Sequence, residues 1–288
     1  MTRAHAPVTT DRPATEQTLP EATPAPRRAR RRPLVPRPLK PIGLLLGPVV
    51  LLAVWEFAAT VGWLSPRMLA APSVAVRTGF DMLVGGDLLP HLAASARRAG
   101  LGLVIGVVLG VVLALLSGLT RAGEAAIDGL VQIKRAIPTL ALIPLVILWL
   151  GIGEEMKVAV IVGSVFVPVY LNTHAGLRGI DLRYVELART LGLRRAEFVR
   201  LVALPGALPG FFTGLRLAVT MCWTALVVLE QINATEGIGY LMTKARDYGQ
   251  TDVIVVGLVT YAVLGLVSDF TVRFLERKVL SWRRTIGS

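Results

Sequence analysis

The chain has 288 residues, 53% of them apolar, a net charge of +12 and one cysteine. A mean hydropathy of +0.62 lies above the range of ordinary soluble domains and excludes a simple water-soluble globule. Cys222 alone cannot form an intramolecular disulfide, no Cys/His cluster has zinc spacing, and a basic excess in so greasy a chain needs no nucleic-acid partner once its distribution is read.

Residues 1–41 hold nine of the 18 prolines and eight arginines without apolar periodicity. This composition predicts a disordered basic Pro/Arg-rich tail. The cluster Arg27 to Pro33 precedes the first greasy run; it reads as a topology signal, with contact to anionic membrane lipid as the alternative. The apolar run that follows is long enough to span a bilayer, which argues against a cleaved signal peptide. From there residues 42–284 form one membrane domain with six predicted spans, 42–63, 99–119, 137–150, 158–177, 207–232 and 253–274. Residues 73–95, bracketed by Pro72 and Pro90, read as an amphipathic helix at the outer surface. In the second span Gly102, Gly106 and Gly110 lie on one ridge, a pattern for close helix packing and not a phosphate loop. The third span is short and holds Pro138 and Pro144; the fourth holds Pro168. Such prolines place both spans in the bundle interior, beside a pathway.

With the N-terminus placed in the cytoplasm, 23 Lys and Arg fall inside and seven outside. This fixes a multi-pass protein of the cell membrane with both termini cytoplasmic. Arg97 and Arg98, at the start of the second span, run against the rule.

The cytoplasmic loop 178–206 is a charged island between two apolar spans. Wound at 100° per residue, Tyr184, Leu187, Ala188 and Leu191 share one side, and Arg183, Glu186, Arg189 and Thr190 the other. Gly192 is expected to end this helix in the left-handed region. A second short helix is expected over 194–203, with Arg194, Glu197 and Arg200 at pairing distance, closed by Leu204-Pro205. A hairpin resting on the membrane and a docking element for a soluble partner both fit this pattern.

The stretch Glu186-Leu187-Ala188, Gly192, Val202-Ala203-Leu204-Pro205 resembles the E-A-A, G, I-x-L-P loop of ABC-importer permeases at every spacing, with Leu187 and Val202 as conservative departures. The segments APSVAV (71–76), IPTLALIPLVILWLGIGE (137–154), LNTHAGLRGID (171–181) and FTGLRLA (212–218) are similar to the permeases of aliphatic sulfonate, taurine and nitrate importers. The resemblance covers about residues 42–284. It implies an all-α integral membrane fold, six helices in the type I (MetI-like) importer bundle, with a cytoplasmic coupling helix. It further implies a dimer of permeases, two ATPase subunits that bind ATP and magnesium, and an external substrate-binding protein. Residues 186–188, 192, 202, 204 and 205 would then meet the ATPase.

No lysine follows a glycine, so the chain has no phosphate-binding loop of the usual ATPase kind. It is expected to bind no cofactor and to catalyse nothing itself. Of the charges inside spans, three call for a reading. Arg216 suits an oxyanion in a pathway, or bonds helix ends or lipid phosphate by snorkelling. Glu230 is expected near the outer mouth, as a gate or interface residue; Asp269 has no assigned role. Asn172 and His174 are expected to bond the loop backbone. A gradient-driven transporter would use the same spans but leaves the loop spacing unexplained. An intramembrane protease would need more than Gly163-Ser164 and a His174 near the membrane edge.

Overall fold

The computed structural model describes residues 41–282, with side chains from residue 46 onward. Apart from Pro41, the predicted tail lies outside the described residues. By contacts the chain divides at Pro48/Val49, and the bundle below is the Val49–Ser288 unit. All regular elements among the described residues are helical.

Helix α1 (Pro41–Thr60) carries the first apolar run. At its end Glu56 accepts hydrogen bonds from the backbone N–H and the hydroxyl of Ser73, at 3.0 and 2.7 Å, and so satisfies the N-terminus of α2 (Pro72–Val84). The expected surface helix is therefore shorter than 73–95. It docks on α12 (Thr251–Val279) through Thr78, which donates to Asp252 at 2.8 Å.

Helix α3 runs Leu88–Leu119, eleven residues further upstream than the predicted span. Helix α7 (Glu154–Arg178) and helix α10 (Leu204–Asn233) likewise outrun their apolar stretches. The reason is common to α3 and α7. Hydropathy stops at a charge, whereas Arg98, Glu154 and Lys157 neutralise one another and the helices continue through them.

Helix α7 is the centre of the bundle, packing on α3 and α10. It runs in the same direction as α3, with Gly102 against Ile161, Gly106 against Val165 and Gly110 against Val169. A methyl group added at Gly106 would meet Val165 Cγ1 at 2.6 Å, so the expected glycine ridge is a close-packing surface. Against α10 it runs antiparallel, Gly176 facing Gly210 and Gly214 facing Asn172. Met156, Ile161 and Val165 of α7 form the main core with Cys222, Leu226 and Leu229 of α10. The outer faces of α3 and α12 expose Val104, Val108, Val112, Val263, Leu266 and Phe270. Faces so apolar on helices this long belong in hydrocarbon.

The predicted third span is not one straight helix. After α4 (Arg121–Gly123), a π turn (Glu124–Asp128) and α5 (Gly129–Ala136), the chain turns by 91° and continues as a 3-10 turn (Thr139–Leu142) and α6 (Ile143–Leu150). Pro138 forces Ile137 out of helical geometry, and Ile137 adopts φ −93°, ψ 119°. Four helices among the described residues are long and apolar enough to cross a membrane, five if the bent pair is one span, and Leu46–Thr60 is a shorter apolar helix.

Candidate functional site

Three places on the bundle gather polar chemistry, and α10 touches all of them. The first is the loop between α7 and α10. Helix α8 (Leu182–Thr190) starts at Asp181, whose carboxylate accepts from the Arg183 N–H. It ends where the Leu193 N–H reaches the Ala188 carbonyl and the Gly192 N–H reaches that of Arg189. This is the six-to-one and five-to-two pairing of a glycine C-cap, and Gly192 has φ +68° with open space where a side chain would point. The expected bend is therefore in place. On α8 only Ala188 is buried; Leu182 is 73% exposed, Tyr184 59%, Leu187 54% and Leu191 66%. Glu186 is exposed, and its carbonyl accepts from Thr190.

Beyond Gly192, α9 (Arg195–Phe198) is held to the bundle. Arg195 donates to the Leu119 carbonyl at the end of α3, and Phe198 packs with Leu177, Ala203 and Ala207. Glu197 accepts from the Arg194 N–H at 2.8 Å, and no ion pair joins it to Arg194 or Arg200 among the described residues. The expected stop at Leu204-Pro205 is absent. A π turn (Val199–Ala203) leads into α10, and Arg195–Asn233 is a single 39-residue helix. Proline has no N–H to give and crowds the preceding turn; the wider π turn lets the helix pass through it. Val202 and Pro205 are half-buried in this passage, while Leu204 is 40% exposed.

The second place is a cavity of about 680 Å³ bounded by the α5–α6 break, the middle of α7 and the middle of α10. Lys134, Arg135, Thr139, Ser164, Asn172 and Thr224 are its polar lining. Lys134 donates to Thr139 Oγ1 at 2.5 Å and to the Gly163 carbonyl at 2.9 Å. The proline-broken segments thus border open space, as their sequence suggested. Asn172 donates to the Pro168 carbonyl within α7, and His174 stacks on Tyr170 at 5.5 Å. Neither bonds the loop backbone as expected, because both side chains point into the bundle from inside a continuous helix.

The third place is at the far end of α10. Glu230 is 1% exposed. Its carboxylate accepts from Ser95 Oγ, Arg98 Nη1, Tyr261 Oη and the Gly239 N–H, all within 2.8–2.9 Å. It thereby caps α11 (Ile238–Asp247). Gly237, at φ +122°, folds directly over the carboxylate, where a side chain would collide with it. Arg98 also grips Glu154 with two hydrogen bonds and donates to the Glu236 carbonyl, and Lys157 completes the set by donating to Glu154 at 2.8 Å. Arg98 thus ceases to be an exception to the charge rule, since its charge is spent on two internal carboxylates. Ser95, Glu154 and Lys157 were not singled out by sequence; the alternation of opposite charges at the starts of α3 and α7 was the available signal.

Arg216, midway along α10, pairs with Glu276 at 2.5 Å and with Asp269 at 3.5 Å on α12. Asp269, unassigned before, also pairs with Arg273. Neither Arg216 nor Glu230 lines the cavity.

The family model of the binding-protein-dependent transport system inner membrane component matches residues 106–281. The chain is 46% identical to the aliphatic sulfonates transport permease protein SsuC of Escherichia coli (strain K12) over 82% of its own length and 89% of that protein. It is 38% identical to the protein of that name in Bacillus subtilis (strain 168), over 84% and 88%, and 33% identical to the taurine transport system permease protein TauC of E. coli, over 81% and 86%. Among solved structures it resembles an amino acid ABC transporter (TM-score 0.59, 18% identity, 69% of this chain and 97% of that one) and the inward-facing methionine transporter MetNI (TM-score 0.51, 23% identity, 67% and 94%). At those identities the structures speak for the fold. A bundle of apolar helices with charged groups pinned inside it, a family match over more than half its length and relatives of nearly equal extent have one meaning: this chain belongs to the binding-protein-dependent transport inner membrane components, the permeases of ABC importers.

Proposed function

We propose that the chain is the membrane-spanning half-channel of an ATP-driven importer that carries a small organic oxyanion, a sulfonate before nitrate, into the cytoplasm. Two copies would form the pathway, two ATPase subunits with ATP and magnesium would supply the energy, and an external binding protein would deliver the solute. The relatives' names support the sulfonate class.

The observation that carries the reading is the exposure of α8. Leu182, Tyr184, Leu187 and Leu191 stand open on a segment that lies outside the apolar helices and bears the permease loop pattern. An apolar patch exposed away from lipid marks a protein contact, so α8 offers its large side chains to the ATPase and keeps only Ala188 for the bundle. Gly192 sets the angle of α8. The fixed segment 195–203 joins it to α10, and the unbroken helix passes any displacement to the cavity wall and on to Glu230. Val202, Leu204 and Pro205 act in this passage by keeping loop and α10 one body. In this reading Arg216 and Glu230 fasten helices together and do not touch solute.

The test is reconstitution. Permease and ATPase subunits in liposomes, with binding protein outside, should accumulate ethanesulfonate only when ATP is present on the ATPase side. Accumulation by the permease alone, driven by an ion gradient, would overturn the reading. A permease with Glu186 and Gly192 both replaced should lose the ATPase on co-purification.

A further inference from the structure

Four basic side chains among the described residues are not exposed: Arg98, Lys134, Lys157 and Arg216. Three of them have carboxylate partners within 4 Å: Glu154 and Glu230 for Arg98, Glu154 for Lys157, and Asp269 and Glu276 for Arg216. Lys134 has none among the described residues. It is half-buried in the wall of the cavity, and its two acceptors, Thr139 Oγ1 and the Gly163 carbonyl, are neutral. No Asp or Glu lines that cavity, and its other charged lining residue is a second cation, the exposed Arg135. A fold that neutralises every other interior cation with a carboxylate leaves this one facing open space.

From this we infer that Lys134 is the anion-holding group of a solute site in the cavity, and that the site takes the head group of an alkyl sulfonate. The assignment rests on the importer reading above and deepens it by naming where the solute binds. The hydrogen-bond inventory fits a sulfonate, which has three acceptor oxygens and no donor. An ammonium has three N–H groups; Lys134 gives two to Thr139 Oγ1 and the Gly163 carbonyl, and beyond them its Nζ has only the Phe166 ring, 5.8 Å away at the centroid, a weaker contact than an anion would make. Thr139 accepts from Lys134, and its own hydroxyl hydrogen has no acceptor within the protein among the described residues. Asn172 gives one amide hydrogen to the Pro168 carbonyl and keeps the other. Three donors in the cavity lining are thus left over, the Lys134 one charged, with Arg135 as a further cation, and a hydrogen bond from a charged donor to an anion is the stronger kind. Leu140, Val167, Leu217 and Met221 supply apolar lining for the alkyl chain. The volume of about 680 Å³ is in the range of small-molecule sites, about 300–1,000 Å³, and leaves room for water around a short chain, as a transit site requires. Lys134 sits one turn before the 91° break, so a change at the break would move the ammonium relative to α10.

The experiment compares Lys134→Gln with Lys134→Arg in the full permease–ATPase complex in liposomes, with binding protein and ethanesulfonate as the probe. Gln keeps a donor and loses the charge; Arg keeps both. Initial ATP-driven uptake should fall by about tenfold in the Gln variant, the loss of one charge-assisted contact, and return to within about threefold of the native rate in the Arg variant. Undiminished uptake by the Gln variant overturns the assignment. So does an equal loss in both variants, or loss of the ATPase subunits from both, since Lys134 would then be holding the break through Thr139 and Gly163. If the native complex itself fails to take up ethanesulfonate with ATP, the substrate class proposed for the importer fails instead.

Discussion

The two ends of α10 are opposites. At Glu230 every strong acceptor and donor is matched inside the chain: a carboxylate with four donors, an arginine with two carboxylates and a carbonyl, and a glycine folded over the top. At the other end α8 and its C-cap Leu191 leave an acid, two arginines and four large apolar side chains to the surroundings. A saturated cluster has nothing left to bind with, so it can only fasten; an unsaturated one must find its partner elsewhere. The same helix therefore joins a clamp to an open face, and motion received at the face has a fixed point to work against.

The sharpest way to break this contrast is at the clamp. Replacing Glu230 with Ala leaves Arg98 half-compensated and strips the cap from α11, all in a buried site. Removing one partner of a buried ion pair costs about 3–5 kcal/mol. The Glu230→Ala permease should therefore be recovered from membranes in much lower amount, with a clearly lowered melting temperature in detergent. Full yield and an unchanged melt would mean that the network is not a fastener. Arg98→Met should be as damaging, because it strands Glu230 and Glu154 together.

Much of this contrast was legible in the sequence at the open end and little at the clamp. The loop announces itself locally: Gly192 needs its left-handed backbone whatever surrounds it, and the helical faces of 183–191 follow from spacing alone. The glycine ridge 102–106–110 was legible for the same reason. The clamp is non-local. Ser95, Arg98, Glu154, Glu230 and Tyr261 come from four helices, and each taken singly reads as a misplaced polar residue or a span boundary. Hydropathy therefore starts these helices at 99 and 158, whereas they begin at Leu88 and Glu154. Pro205 failed for a related reason. Proline forbids one hydrogen bond, and sequence does not say whether the chain stops there or changes pitch; here a π turn absorbed it. The 14 residues 137–150, 11 of them apolar, satisfy a composition window, which does not register that Ile137-Pro138 turns the chain by 91° at their start.

A smaller effect is expected at Gly192, where loop geometry is isolated from packing. A Cβ there meets nothing within 4 Å, so a substitution acts through backbone conformation alone. A non-glycine residue in the left-handed region costs roughly 1–2 kcal/mol, and asparagine tolerates it best. Gly192→Val should leave the bundle folded, with the melt close to native, yet turn α8 away from its angle. In the reconstituted importer ATP hydrolysis should continue while uptake falls, and Gly192→Asn should restore most of the uptake. Equal uptake by the Val variant would remove the bend from the coupling route.

The smallest effect on stability, and the most informative, is expected at Leu187. Its side chain is 54% exposed, although by helical spacing it shares a side of α8 with the buried Ala188. A surface substitution of this kind changes stability by no more than about 0.5 kcal/mol, so Leu187→Ser should fold and melt as the native chain does. If the open face exists for the ATPase, that variant should nevertheless co-purify with roughly a tenth of the native amount of ATPase, since about 1.4 kcal/mol of lost contact is tenfold in affinity. A destabilised Leu187→Ser would mean that α8 is packed on something within its own chain, and native recovery of ATPase would mean that the face serves another partner. Only silence in the melt together with loss of the companion separates an open face from a clamp, because substitution at a clamp cannot produce the second without the first.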